Sequence, residues 1–158
     1  GIPFDVVPGI TAANGCAAAS AIPLTHRDHA RALVLVTAHT RAGRLDVDWD
    51  LLLRARQTVV IYMGLGALPD LAAGLIARGM SPHTPIAAIS SGTLPQQRTA
   101  VGTLARLPDA RASGSDIAPT LFVLGSVAGF AVADGLRAAP QECVDAAGKR
   151  GRLATAAL

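Results

Sequence analysis

The stretch TVVIYMGLGALPDLAAGLIARG, Thr58 to Gly79, decides the reading of the fold. Thr58 to Met63 is a β-branched, apolar run, which predicts a buried strand. Gly64-Leu65-Gly66 punctuates it. Leu68, Leu71, Ala72, Leu75 and Ile76 then recur at i, i+3, i+4, i+7 and i+8. That spacing predicts a helix over Ala67–Arg78 with one apolar face. Pro69 suits its first turn and Gly79 the position just past its end. A buried strand feeding an amphipathic helix is the repeating unit of an α/β layer structure.

The same alternation extends in both directions. Upstream, Pro3–Val7 predicts a buried strand closed by Pro8-Gly9. Thr11 is placed as the N-cap of an alanine-rich helix, Ala12–Ser20, whose first turn its hydroxyl would serve. Pro23 ends that helix, Leu24–Asp28 is a polar loop, and Leu33–Val36 predicts a strand. Ala38–Val47 reads as a loop, and Asp48 as the N-cap of a helix over Trp49–Arg56. Downstream, strands are expected at Pro85–Ile89, Gln97–Leu104 and Leu121–Leu124, with a loop at Asp109–Gly114. Ala138–Leu158 is alanine-rich without a pattern, a surface helix or a loose tail. The elements together predict a mixed or largely parallel sheet with helices on both faces.

Composition narrows the function classes. The 158 residues are 51% hydrophobic and 16% charged, too apolar and too weakly charged for a disordered chain. The net charge is only +3, and the arginines are scattered. Aromatics are 3%, so the core is built from small and branched aliphatics. A nucleic-acid surface would show clustered cations interleaved with aromatics, and the sequence has none. Cys16 and Cys143 form no metal or redox spacing. The chain opens at Gly1 into an apolar segment without a basic lead, which predicts no signal peptide. The uncharged run Ile117–Ala133 is short for a membrane span and is broken by Pro119, Gly125 and Gly129.

Motifs taken singly carry little chemistry. Gly64-Leu65-Gly66 lies where a dinucleotide loop would, but the third glycine position is Pro69 and no acidic residue follows at the required offset. The loop still follows a strand's carboxyl end, where α/β proteins bind ligands. His26 and His29 are spaced i, i+3 without a third ligand, so His26, His29, His39 and His83 read as ordinary loop or surface residues. No serine sits in a nucleophile elbow. Asp46, Asp48 and Asp50 surround a helix start, where capping and the helix dipole explain them.

Taken together, the motifs resemble one family. VVPGITAANGCAAASAIPLTHRD, Val6–Asp28, is similar to a signature segment of the uroporphyrinogen-III C-methyltransferases, within the tetrapyrrole (corrin and porphyrin) methylases. VTAH at Val36–His39 resembles that family's VTGH. DWDLLLRARQTVVIYMG at Asp48–Gly64, TPIAAISSGTLPQQRTAVGTL at Thr84–Leu104 and APTLFVLGSV at Ala118–Val127 resemble further family motifs in the same order. Departures are Ala19 for a usual tyrosine, Ala21 and Ala38 for usual glycines, and Ser126 for a usual glutamate.

The resemblance implies the C-terminal domain of the tetrapyrrole methylase fold over residues 1–136, with 137–158 as a tail. It implies S-adenosyl-L-methionine as methyl donor, no metal, and conversion of uroporphyrinogen III to precorrin-2. The runners-up are a different precorrin methyltransferase, or a non-catalytic interaction domain. On the family pattern Thr11, Ala12, Met63, Gly92 and Thr93 contact the cofactor, with weaker support for the backbone at Pro119–Leu121. The residue chemistry is compatible: free N–H groups open a helix at Thr11 and Ala12, Met63 offers a polarizable thioether, and Gly92 leaves the backbone open. Each has an alternative, Thr11 as a plain N-cap and Met63 as core filler. Thr25, His26 and Arg27 are candidates for the tetrapyrrole, the guanidinium suiting a substrate carboxylate. The family's G-x-G-x-G-D loop and its residues for proton transfer belong to an N-terminal domain that this chain does not carry, so catalytic residues are expected there. A cytoplasmic homodimer, bound to neither membrane nor nucleic acid, completes the expectation.

Overall fold

The computed structural model describes residues 1–38, 40–41, 44–109, 118–132, 142–144 and 150–152. In chain order the elements are α1 (Ala12–Ala19), β1 (Ala32–Thr37), β2 (Thr40–Arg41), β3 (Arg44–Leu45), α2 (Trp49–Leu52), β4 (Gln57–Tyr62), α3 (Leu68–Ala77), β5 (Pro85–Ser90), β6 (Arg98–Thr103) and β7 (Thr120–Leu124). A 3-10 turn at Ser126–Phe130 and a last pair, β8 (Glu142–Val144) and β9 (Arg150–Arg152), follow. The deciding stretch is strand and helix as its spacing predicts. At the end of α3, Gly79 adopts φ +99°. The Met80 N–H then donates to Leu75 O at 3.0 Å and the Gly79 N–H to Ile76 O at 3.0 Å, a Schellman closure. Asp48 caps α2 as expected, its Oδ1 accepting from the Leu51 N–H at 3.0 Å. Helix α2 stops at Leu52, short of Arg56, where the Gln57 amide donates to Leu51 O and Leu52 O.

Five strands form one sheet in the order β1-β4-β7-β5-β6. The sheet is mixed but not largely parallel. Only β1 and β4 pair parallel; β4–β7, β5–β7 and β5–β6 are antiparallel. The reason is connection length. A parallel neighbour needs a crossover of a dozen residues or more, whereas β5 and β6 are joined by the short loop 91–97. Strands β4 and β5, flanking α3, do run in the same direction, but β7 is inserted antiparallel between them.

Alternation along the central strands splits the core into two layers. On one face Val59, Ile61, Ile86, Ala88, Phe122 and Leu124 pack with Leu52 and with Leu68, Leu71, Ala72 and Leu75 of α3. On the other, Val60, Ala87, Ile89, Leu121 and Val123 pack with Ala13, Cys16 and Ala17 of α1 and with Ile22, Val127 and Ala128. Period-two side chains therefore feed both helical layers.

Three expectations fail locally. Pro3–Val7 forms no strand: Phe4 is 83% exposed and Val7 87%. An alternating apolar segment becomes a strand only when a sheet edge is beside it, and none of the described strands pairs with it. Ala38–Val47, expected as a plain loop, contains the two-residue pair β2–β3. Within the tail, β8 and β9 pair antiparallel where a helix or loose chain was expected. The rest of 133–158 lies outside the described residues, as do His39 and residues 110–114 of the expected loop.

Candidate functional site

Because β4 and β5 run in the same direction, their carboxyl ends meet at one edge of the sheet. Strand β7 starts at that edge, and α1 lies over it. The two segments leaving the edge bend sharply. Met63 follows β4 with φ +52°, and Ser91 and Thr93 follow β5 with φ +49° and +67°. These are left-handed conformations that residues with a side chain seldom adopt, and such outliers concentrate at ligand clamps.

Between them lies a cleft of about 340 Å³. Ala12 and Cys16 of α1 line one side, Tyr62 and Met63 another. Ile89, Ser91, Gly92 and Leu94 close the β5 side, and Pro119, Thr120 and Leu121 the β7 side. The wall is mostly apolar with a few polar groups, the usual make-up of a small-molecule site. Met63 is 69% exposed and so is not core filler.

Three of the sequence-named cofactor residues, Ala12, Met63 and Gly92, meet here, as does Pro119–Leu121. Thr11 and Thr93 are not among the lining residues, though each adjoins one in sequence. The Thr11 hydroxyl does not cap α1. It pairs at 2.5 Å with the Tyr62 hydroxyl, which in turn accepts the Ala13 N–H at 2.9 Å. Asn14 and Gly15 donate to Thr11 O. The helix start is therefore tied to β4 by a phenol, and the expectation that the Thr11 hydroxyl serves the first turn of α1 is corrected. Gly92 also has a packing reason the sequence did not show. A Cβ there would overlap the Cys16 Sγ, so Gly92 is the residue that lets α1 settle on the loop. Burial holds the Cys16 thiol above the ordinary thiol range.

Sequence reasoning missed Cys16, Tyr62, Ser91 and Leu94. The signal for Cys16 was its i+4 offset from Ala12 on one helix, which places both on one face. Tyr62 preceded the singled-out Met63, and a polar aromatic at the end of an apolar strand was its only mark. His26 and Arg27 are not in the cleft. They sit on the α1–β1 connection, where His26 stacks on Phe130 with centroids 5.6 Å apart and contacts the His29 ring at 4.9 Å. Among the described residues no three His, Cys, Asp or Glu side chains gather as a metal site would require. No helix there is long and apolar enough to cross a membrane.

Comparison with known proteins agrees with this geometry. The family model of the "Tetrapyrrole (Corrin/Porphyrin) Methylases" matches residues 1–108. The siroheme synthase of Thioalkalivibrio sulfidiphilus is 53% identical over 127 residues, covering 80% of this chain and 26% of its own length. That of Methylococcus capsulatus is 52% identical over 131 residues, 82% of this chain and 28% of its own. The chain thus spans about a quarter of the curated relatives it matches. A uroporphyrin-III C-methyltransferase from Thermus thermophilus, solved with S-adenyl homocysteine, superposes with a TM-score of 0.62 at 30% identity, over 80% of this chain and 52% of that one. A cobalt precorrin-4 methyltransferase shares the fold, with a TM-score of 0.66 at 21% identity. The ordered motifs, the mixed five-stranded sheet and these matches make the chain a member of the tetrapyrrole (corrin/porphyrin) methylases.

Proposed function

We propose that this chain forms one wall of the S-adenosyl-L-methionine site of a uroporphyrinogen-III C-methyltransferase, acting on the way to sirohaem and cobalamin. The observation that supports it is the convergence of Ala12, Met63 and Gly92, far apart in sequence, on one mostly apolar cleft. The residues fit the group. Met63 offers an exposed thioether to an adenosyl ring, Leu94, Ile89 and Leu121 an apolar bed, and Ser91 and Thr120 polar contacts. When bound, S-adenosylmethionine supplies an electrophilic methyl carbon, needing no metal in this reading. The chain's residues bind, orient and exclude water around that carbon. Thr11 and Thr93 shape the wall from adjoining positions. Arg27 and His26 are our candidates for the tetrapyrrole's carboxylates, Arg27 being exposed and without an ion-pair partner among the described residues.

On this reading residues 1–136 are the C-terminal methylase domain. Proton-transferring groups come from the part of the relatives that this chain does not cover. The working protein is a cytoplasmic homodimer bound to neither nucleic acid nor membrane, and light scattering checks its mass in solution. The deciding experiment incubates the protein with methyl-labelled S-adenosylmethionine and uroporphyrinogen III and also titrates it with S-adenosylhomocysteine. Binding of S-adenosylhomocysteine is the expected result for this chain, with label in precorrin-2 once the region of the relatives that it does not cover is supplied. Homocysteine-adduct binding without transfer would leave the cofactor wall standing and place catalysis outside this chain. Transfer only to a later precorrin would favour the runner-up within the family. Neither binding nor transfer would leave the interaction-domain reading.

A further inference from the structure

We propose that Gln97 is a positioning residue that sets the loop Ser91–Leu94 as a wall of the cleft; this rests on reading the cleft as the S-adenosylmethionine site. Gln97 does not line the cleft. Its side chain instead bridges two elements that do. Gln97 Oε1 accepts the Thr93 N–H at 2.6 Å. Its Nε2 donates to Ser20 Oγ at 3.3 Å and to Ala19 O at 3.5 Å, at the end of α1. Ser20 and Thr99 are buried, and their hydroxyls pair at 3.0 Å, so the helix-side anchor is itself held.

The loop needs such a hold. Ser91 and Thr93 both sit at positive φ, a conformation that persists only where surroundings enforce it. Backbone bonds also tie the loop, among them Ser91 N–H to Pro119 O at 3.0 Å, Leu94 N–H to Ser91 O at 3.1 Å and Gln97 N–H to Leu94 O at 2.9 Å. None of these reaches α1. Gln97 is the side chain that hydrogen-bonds both the strained loop and the helix end among the described residues. Contacts then follow: Gly92 seats on Cys16, and the Thr93 methyl faces Gly15. The two ends of the amide divide the work. The oxygen holds the loop, and the nitrogen holds the helix.

Two variants test the bridge. Gln97→Met keeps the length and removes all three bonds. Gln97→Glu keeps an acceptor for the Thr93 N–H, and the Ser20 hydroxyl can turn to donate to it. The readouts are amide exchange at Thr93, relative to buried amides of β4 and β7, and S-adenosylhomocysteine affinity. One hydrogen bond implies that Gln97→Met speeds Thr93 exchange and weakens binding by about tenfold each. Gln97→Glu should restore both to within about threefold of the unaltered protein. Thr93 exchange unchanged in Gln97→Met, or accelerated uniformly with β4 and β7, would overturn the proposal. So would faster loop exchange with unaltered affinity. If the unaltered protein binds no S-adenosylhomocysteine, the proposed function fails, and the exchange data alone then decide whether Gln97 holds the loop.

Discussion

Ala21 stands where the family resemblance expects glycine, and the backbone there is left-handed, with φ +56°. It follows α1 directly, its N–H donating to Ala18 O at 3.2 Å. An alanine in that region carries a cost of roughly 1–2 kcal/mol from its Cβ, while a glycine loses about 0.4–1 kcal/mol through greater freedom in the unfolded chain. The first exceeds the second. Ala21→Gly should therefore stabilise the protein by up to about 1 kcal/mol, read as a higher urea midpoint at unchanged slope. A lower midpoint would show that the unfolded-state term dominates. The Thr11 hydroxyl carries the complementary lesson. Sequence put it at the helix start correctly, but an N-cap residue is chosen by local geometry and its hydroxyl by whatever polar group arrives. Tyr62, 51 positions away, arrives first.

Helix α3 shows how an element's own propensity is overruled by its neighbour. Gly74 lies mid-helix, where alanine would ordinarily be better by about 1 kcal/mol. A Cβ at Gly74 would overlap the Trp49 ring, and the Arg78 guanidinium lies over that ring, 4.1 Å from its centroid. Overpacking at this stack costs about 1–3 kcal/mol, so Gly74→Ala should destabilise by about 1 kcal/mol net. Trp49 is the single tryptophan, and its fluorescence reports both the unfolding midpoint and any shift of the ring. A raised midpoint would mean the indole moves aside at little cost. The periodicity of α3 was legible because an amphipathic helix carries its burial pattern in its own spacing. The shortening of α2 was not, because the Gln57 amide that ends it comes from the next strand.

Across the whole molecule, stability should follow position in the sheet. Phe122 is fully buried on the central strand β7, against the α3 layer. Val101 lies on edge strand β6 and is 43% exposed. Phe122→Ala should cost about 3–5 kcal/mol and Val101→Ala less than about 1 kcal/mol. Comparable losses at both, measured by urea unfolding, would mean that β6 is covered in solution by something further.

The sequence by itself determined most of the local elements from α1 to β7, the strand–helix–strand unit from Gln57 to Ser90, and the residues Ala12, Met63 and Gly92 at the cleft. Those signals are short-range: side-chain period, capping chemistry and breaker residues, together with motif order. Only the tertiary structure decided that β7 enters between β4 and β5, that Pro3–Val7 stays unpaired, and that Tyr62, Cys16 and Gln97 serve the cleft. Strand pairing and side-chain bridging depend on which distant segments become neighbours. A strand's own composition reads alike whether its partner runs parallel or antiparallel. A glutamine in a loop looks like any polar surface residue until the helix end it holds is beside it.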